Sequence, residues 1–160
     1  MEKIYGKMNR MKKQLVIIGI VAILVTVGFS GCNEENNTLK PEKGYTDITV
    51  EKAYNFLTNT SNGIQIPIDI RTNFEWETAH IDTPYPENAQ HWPNLQNGEN
   101  LTEFIELYQG KEIILYCRAA NRSTTAANLL VEHNFDGTIY NMLGGINAWI
   151  FVEYPTKANS

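Results

Sequence analysis

Cysteine is scarce, with two in 160 residues. That excludes a disulfide scaffold and a four-cysteine zinc site. Neither the cysteines nor the three histidines fall at metal-ligand spacing, so no metal and no cofactor are expected. Positive charge is equally sparse beyond residue 31. Residues 32–160 carry 8 Lys and Arg against 17 Asp and Glu, a balance of −9. A body that acidic lacks the cations whose counterion release drives nucleic-acid binding, and nucleic acid is excluded as a partner. Internal repeats are absent, and long apolar runs are absent with one exception. What is present is apolar surface to bury, 42% hydrophobic with 11% aromatic, so a wholly disordered chain is excluded. The length allows one ordinary domain with an appendage.

The exception is Leu15–Phe29 (LVIIGIVAILVTVGF), apolar apart from Thr26 and preceded by Arg10, Lys12 and Lys13. A basic stretch leading into about fifteen apolar residues describes a secretory signal, and small residues follow at Ser30-Gly31. Phe29-Ser30-Gly31-Cys32 resembles the lipobox of prokaryotic lipoproteins, in which cleavage leaves a lipidated cysteine, here Cys32, as the new first residue. The alternative is an uncleaved anchor helix, whose length sits at the short end of the spanning range of about 17–25 residues. Both readings keep residues 1–13 cytoplasmic and hold the exported body at the outer face of the cell membrane. Residues 1–31 are thus a signal or anchor and 32–44 a flexible polar tether. Residues 45–154 are the folded domain, and 155–160 a tail.

Within the domain, helical and strand patterns alternate. Val50, Ala53, Tyr54 and Leu57 fall at helical spacing behind Thr49, a natural N-cap. Ile64–Ile70 (IQIPIDI) reads as a strand, with Pro67 an objection. Leu101, Phe104, Ile105 and Tyr108 predict a helix behind Asn100, with Glu103 completing a box-like cap. Glu112–Tyr116 (EIILY) is a continuous apolar strand of the kind buried on both faces of a parallel sheet. Ala126, Ala127, Leu130 and Val131 give a further helix, Thr138–Tyr140 a short strand, and Ile146–Val152 one or two helical turns. The pattern predicts an α/β domain, a mostly parallel sheet flanked by helices.

In such a sheet, ligands gather beyond the carboxyl ends of the strands. There stands Cys117-Arg118-Ala119-Ala120-Asn121-Arg122-Ser123. A cysteine after an apolar strand is ordinarily a small buried hydrophobe. Two arginines within five residues argue otherwise, since burying them without an anion is costly. The small Ala119 and Ala120 let the loop close so that its N–H groups converge at a helix N-terminus. A helix N-terminus and two guanidinium groups favour a thiolate, and the same N–H groups hold an approaching anion.

Three separated motifs resemble the rhodanese (thiosulfate sulfurtransferase) family of the single-domain type. The loop Cys117–Arg122 is similar to its six-residue active-site loop. Asp69-Ile70-Arg71 followed by His80-Ile81 is like its Asp-Val-Arg…Gly-His-Ile segment, and Leu143-Gly144-Gly145-Ile146-Asn147-Ala148-Trp149 is close to its Leu-x-Gly-Gly-x-x-x-Trp ending. Ala120 stands where the family commonly has Gly, Ala79 replaces the Gly before the histidine, and Glu87-Asn88-Ala89 loosely echoes a Gly-Ala-x-Asn segment. If Ala120 takes positive φ, its strain is about 1 kcal/mol.

The resemblance implies a single rhodanese-like domain in which Cys117 takes a sulfane sulfur from a donor such as thiosulfate and passes it to cyanide or a thiol. Arg118 would attract the anionic donor, and Arg122 would brace the loop and add charge to the cradle formed with Ala119, Ala120, Asn121 and Ser123. Asp69 and Arg71 read as a strand-end salt bridge and His80 as a positioned structural histidine. His91 and His133 carry no role, and Trp149 with Gly144-Gly145 are fold determinants. The partners are then a small sulfur donor, a nucleophilic acceptor and the membrane. The alternative is a persulfide-carrying or redox-sensing module without turnover. Cysteine phosphatases, which also place a thiolate at a strand–helix turn, put Arg six positions after Cys. Here that position is Ser123, and the shorter loop suits one sulfur atom better than a phosphoryl group.

Overall fold

The computed structural model describes residues 43–83 and 88–159. The signal or anchor, Cys32, most of the tether and Glu87 lie outside the described residues. No helix among the described residues is long and apolar enough to cross a membrane.

Strands and helices alternate along the chain as β1 (Thr46–Ile48), α1 (Val50–Thr58), β2 (Gln65–Asp69), α2 (Asn73–Thr78), β3 (His80–Ile81), β4 (Gln90–His91), α3 (Leu101–Tyr108), β5 (Glu112–Tyr116), α4 (Asn121–Glu132), β6 (Thr138–Met142), α5 (Gly145–Phe151) and β7 (Thr156–Lys157). Five strands form one sheet in the order β1-β6-β5-β2-β4, every pairing parallel. This is the predicted α/β class. The strand at the centre is β5, the one whose sequence is continuously apolar.

The pleat of β5 sorts its side chains between two cores. Ile113, Leu115 and, in phase with them, Cys117 join Ile66, Ile68, Phe104, Ala126, Ala127 and Leu130 on the side covered by α3 and α4. Ile114 and Tyr116 join Val50, Ala53, Leu57, Ile146 and Trp149 on the side of α1 and α5. Burying both faces is what requires the uninterrupted run EIILY.

Pro67 sits inside β2 without harm. The Ile70 N–H donates to the Tyr116 carbonyl at 3.2 Å, so alternation turns the position of Pro67 toward β4. That pairing begins only at Ile68 opposite Gln90, and no ladder hydrogen bond is lost.

Thr49 caps α1 as expected, its hydroxyl accepting from the Lys52 N–H at 3.3 Å. The expected box at Asn100 and Glu103 does not form. Asn100 adopts φ 53, left-handed, and its side chain makes no capping bond, because a cap needs an extended backbone to point its oxygen at the first turn. The box that does form is Thr72 with Glu75, opening α2, a helix the apolar pattern did not predict. All of α2 is short of buried residues, which is why it left no periodic signal. Residues 155–160, read as a tail, contribute β7, whose exposed Thr156 and Lys157 pair antiparallel with β3.

Candidate functional site

Beyond the end of β5 the chain crosses to α4 through Cys117–Ala120, and this loop borders a depression of about 450 Å³ lined by Glu75, Cys117, Arg118, Ala119, Asn121 and Arg122. A larger depression of about 650 Å³ lies at the opposite ends of β5 and β6, with Glu112 and Asp136 in its wall. Its carboxylates do not suit an anion, and none of the predicted residues line it.

Turning from strand to helix in four residues requires one left-handed position. It falls on Ala120, with φ 76 and ψ −19. The sequence reading of that position is borne out, and the strain is that of a Cβ facing its own carbonyl. Ala120 is also the N-cap of α4 and offers no side-chain oxygen. The first N–H groups of the helix therefore start without a side-chain acceptor.

The loop is held from below by α5. The Ile146 N–H donates to the Cys117 carbonyl at 2.8 Å and the Asn147 N–H to the Arg118 carbonyl at 3.1 Å. Gly145, at φ +57, lies so close that a Cβ there would collide with the Cys117 carbonyl oxygen. The Gly144-Gly145 pair is thus a point of backbone approach, as its sequence implied. Because each peptide unit is planar and trans, carbonyls turned toward α5 turn the N–H groups of Arg118 and Ala119 the other way. Trp149, fully buried, anchors α5 and donates its indole N–H to the Pro155 carbonyl at 2.9 Å.

The Cys117 side chain is 2% exposed. The bland reading of a buried cysteine is therefore half right: the sulfur closes the end of one core and also borders the depression. Ser123 lies against it, Oγ to Sγ 3.7 Å.

The two arginines behave differently from expectation. Arg122 already meets an anion of the protein itself, donating from Nη1 to Glu75 Oε2 at 2.9 Å and from Nη2 to Oε1 at 2.7 Å. Arg118 is exposed, with no partner for its guanidinium among the described residues. Neither is buried in want of an anion, so that part of the argument is withdrawn. The guanidinium of Arg122 holds the Glu75 carboxyl down at about 2, and Glu75 in turn raises Arg122. Glu75 was missed, although Thr72-Asn73-Phe74-Glu75 carries the spacing of a capping box.

Asp69, Arg71 and His80 gather beside the loop without lining the depression. Arg71 donates to Asp69 through Nε and Nη2, the latter at 2.6 Å, and to the Ala79 carbonyl. Its guanidinium lies 5.9 Å from the centroid of the Tyr116 ring. Burial opposes the charge of Arg71, but the hydrogen bond and charge of Asp69 outweigh it and leave the group raised. His80 is buried, stacked on Trp76 at 3.7 Å, with Nδ1 3.0 Å from the Trp76 carbonyl oxygen. Burial pushes it below the usual imidazole range, which suits a structural part. His91 stacks on the same indole at 4.8 Å and sets Nε2 2.9 Å from the Arg71 carbonyl oxygen. No group of acidic, histidine and cysteine side chains able to hold a metal exists among the described residues.

This geometry is that of a known family. The rhodanese-like domain model matches residues 49–151, and the chain belongs to that family, whose members include sulfurtransferases. Rhodanese-like domain-containing protein 17 of Arabidopsis thaliana is 30% identical over 96 residues, 56% of this chain and 61% of that protein. The probable adenylyltransferase/sulfurtransferase MoeZ of Mycobacterium tuberculosis is 33% identical over 84 residues, 51% of this chain and 19% of that protein. The chain thus spans less than two thirds of these curated relatives. Among solved structures, a rhodanese-related protein from Thermoplasma volcanium superposes with a TM-score of 0.56 at 25% identity, covering 71% of this chain and 98% of that one.

Two predictions follow from the loop. Ala120→Gly relieves left-handed strain of about 1 kcal/mol and returns part of it as chain entropy. Urea unfolding should show a gain of about 0.5–1 kcal/mol, whereas an unchanged or lowered midpoint contradicts the strain. Glu75 has its carboxyl depressed in the fold, so its contribution is whole above the ordinary carboxylate range and fades as pH falls toward about 2. Being partly exposed, with side chains 30% and 23% accessible, the pair is worth about 1 kcal/mol. Glu75→Gln should lower the melting temperature at pH 7 and converge on wild type near pH 2; a constant offset across that range contradicts the assignment.

Proposed function

We propose that the domain is a sulfurtransferase in which Cys117 carries the sulfur. The observation that supports it most is the place of Cys117: first residue of a tight loop at the carboxyl end of the central strand, at the foot of an uncapped helix and beside the exposed cation of Arg118. With thiosulfate as donor, the Cys117 thiolate attacks the outer sulfur. A bond forms between Sγ and that sulfur, the bond to the sulfonate sulfur breaks, and sulfite leaves with the electron pair. Cyanide or a thiolate then attacks the outer sulfur of the persulfide, and Cys117 departs as thiolate. Arg118 offers a charge that no side chain among the described residues has claimed, while Arg122 serves by tying the loop to α2. The name of the relative MoeZ is in keeping with this chemistry. The four-residue turn favours one sulfur over a tetrahedral phosphoryl group.

Mass spectrometry of the protein after thiosulfate tests the proposal. A gain of one sulfur, lost on treatment with cyanide and absent in Cys117→Ser, is the expected result. Persulfide formation without turnover would instead identify a carrier or sensing module, and transfer surviving in Cys117→Ser would refute the assignment.

The apolar run before Cys32 supports export and attachment to the outer face of the membrane. The mass of the N-terminal peptide should show a lipidated Cys32, absent in Cys32→Ser; an intact Met1 leader would show the uncleaved anchor instead.

A further inference from the structure

A chain of buried polar side chains runs away from the sulfur toward β1, and the displacement chemistry makes no use of it. Asn141, fully buried on β6, donates from Nδ2 to Asp47 Oδ1 at 2.7 Å and to Thr124 Oγ1 at 3.0 Å. A carboxylate can only accept, so Asp47 fixes the amide with its nitrogen toward Asp47 and Thr124 and its oxygen toward Ser123. That oxygen accepts from the Ser123 hydroxyl at 2.7 Å. Ser123 is itself fully buried, and its hydroxyl has two further acceptors, the Ala120 carbonyl at 3.0 Å and Cys117 Sγ at 3.7 Å.

One hydrogen faces three acceptors. While it points at Asn141, the Ser123 oxygen turns a lone pair to the sulfur and accepts from the Cys117 thiol. When the sulfur is an anion, the hydrogen gains by turning to it and must leave the amide. We propose that Asn141, oriented by Asp47, is a positioning residue that sets the direction of the Ser123 hydroxyl and so makes Ser123 an acceptor for the Cys117 thiol and a donor to its anion. The role rests on the reading of Cys117 as the reacting thiol, and it would tune how readily that sulfur ionises without Asn141 touching any reactant.

Other charged and titratable groups face the same sulfur and act in every variant alike. They are Arg118 and Arg122, with Glu75 behind Arg122; the Asp69–Arg71 pair stands at the end of β2, and Tyr116 lies on the opposite side of the sheet. Asp47 is linked to the sulfur through Asn141 and Ser123, and Lys43 binds it from outside at 3.3 Å.

The test is the pH dependence of iodoacetamide alkylation in the full chain, read at the Cys117 peptide by mass spectrometry so that Cys32 does not contribute. Ser123→Ala removes the donor to the anion, and the midpoint should rise by about one pH unit. Asn141→Leu frees the hydroxyl from its strongest competitor, and the midpoint should fall. Asp47→Ala lets the amide turn its nitrogen toward Ser123, which also frees the hydroxyl and lowers the midpoint. This variant lies at the partly exposed end and decides the matter if Asn141→Leu does not fold. Removing the Asp47 charge alone would lower the midpoint too, but it would do so equally with or without Ser123. The decisive measurement is therefore the shift caused by Asp47→Ala in the wild-type chain against the shift it causes in a Ser123→Ala background, where only the charge effect is left. Opposite shifts for Ser123→Ala and Asn141→Leu, and a larger lowering by Asp47→Ala with Ser123 than without it, support the proposal; an equal lowering in both backgrounds, or single-variant shifts of the same sign, overturns it. Alkylation needs no sulfur donor, so failure here would leave sulfur transfer standing, and failure of transfer would leave this result intact.

Discussion

Two backbone hydrogen bonds, from the amides of Ile146 and Asn147 to the carbonyls of Cys117 and Arg118, hold the loop on which everything else at the site depends. They place the start of α5 directly under the start of the loop, at a distance that no side chain at Gly145 could permit. By turning two carbonyls toward α5 they turn two N–H groups away from it, and a loop that would otherwise present mixed polarity presents donors on its other side. The direction in which the loop presents its N–H groups is thus decided by a contact on its far face. Trp149 and its bond to Pro155 matter to chemistry in this indirect way, because they fix where α5 begins.

The electrostatics around the sulfur are more nearly balanced than a count of arginines implies. Arg71 is committed to Asp69 and Arg122 to Glu75, in each case through paired, short hydrogen bonds. These pairs stiffen the surroundings of the loop, one fastening the end of β2 to the start of β3, the other fastening α4 to α2. Neither leaves a net charge to attract an anion. Arg122 still interacts with the sulfur, but with its charge offset by Glu75 the field there rests more on Arg118, the end of α4 and the two loop amides. Fixed dipoles of this kind need no rearrangement when charge develops, whereas a mobile arginine must first be ordered.

The sequence made the scaffold readable where burial is two-sided or the backbone is constrained. EIILY read as a strand buried on both faces, the glycine pair as a fold determinant at a backbone approach, and Ala120 stood out because the family that the loop resembles commonly has Gly there. What stayed hidden has a physical cause in each case. Helix α2 has no fully buried residue and packs only Trp76 against the core, so hydrophobic periodicity could not report it, and its capping box was the one available sign. Asn100 looked like a cap by residue type, yet capping depends on a backbone angle that residue type does not set. The partner of Arg122 is 47 residues away in the chain, and no local pattern carries that information. The Asp47–Asn141–Ser123 chain was invisible for the same reason, since it joins β1, β6 and α4.

Strain and clamp belong together at this turn. A left-handed alanine at Ala120 costs about 1 kcal/mol and would relax if the loop were free to choose another path. It is not free, because the carbonyls of Cys117 and Arg118 are fixed at one end and the first intrahelical bond, from the Thr124 N–H to the Ala120 carbonyl at 2.9 Å, fixes the other. Between those points the loop has four residues in which to reverse the chain, and a left-handed residue is the shortest way to do it. The same shortness brings Ser123, in the first turn of α4, back to within 3.7 Å of the sulfur that began the loop. A longer, relaxed turn would lose that contact along with the strain. The left-handed alanine is thus the geometric condition for a sulfur that meets the buried hydroxyl of Ser123.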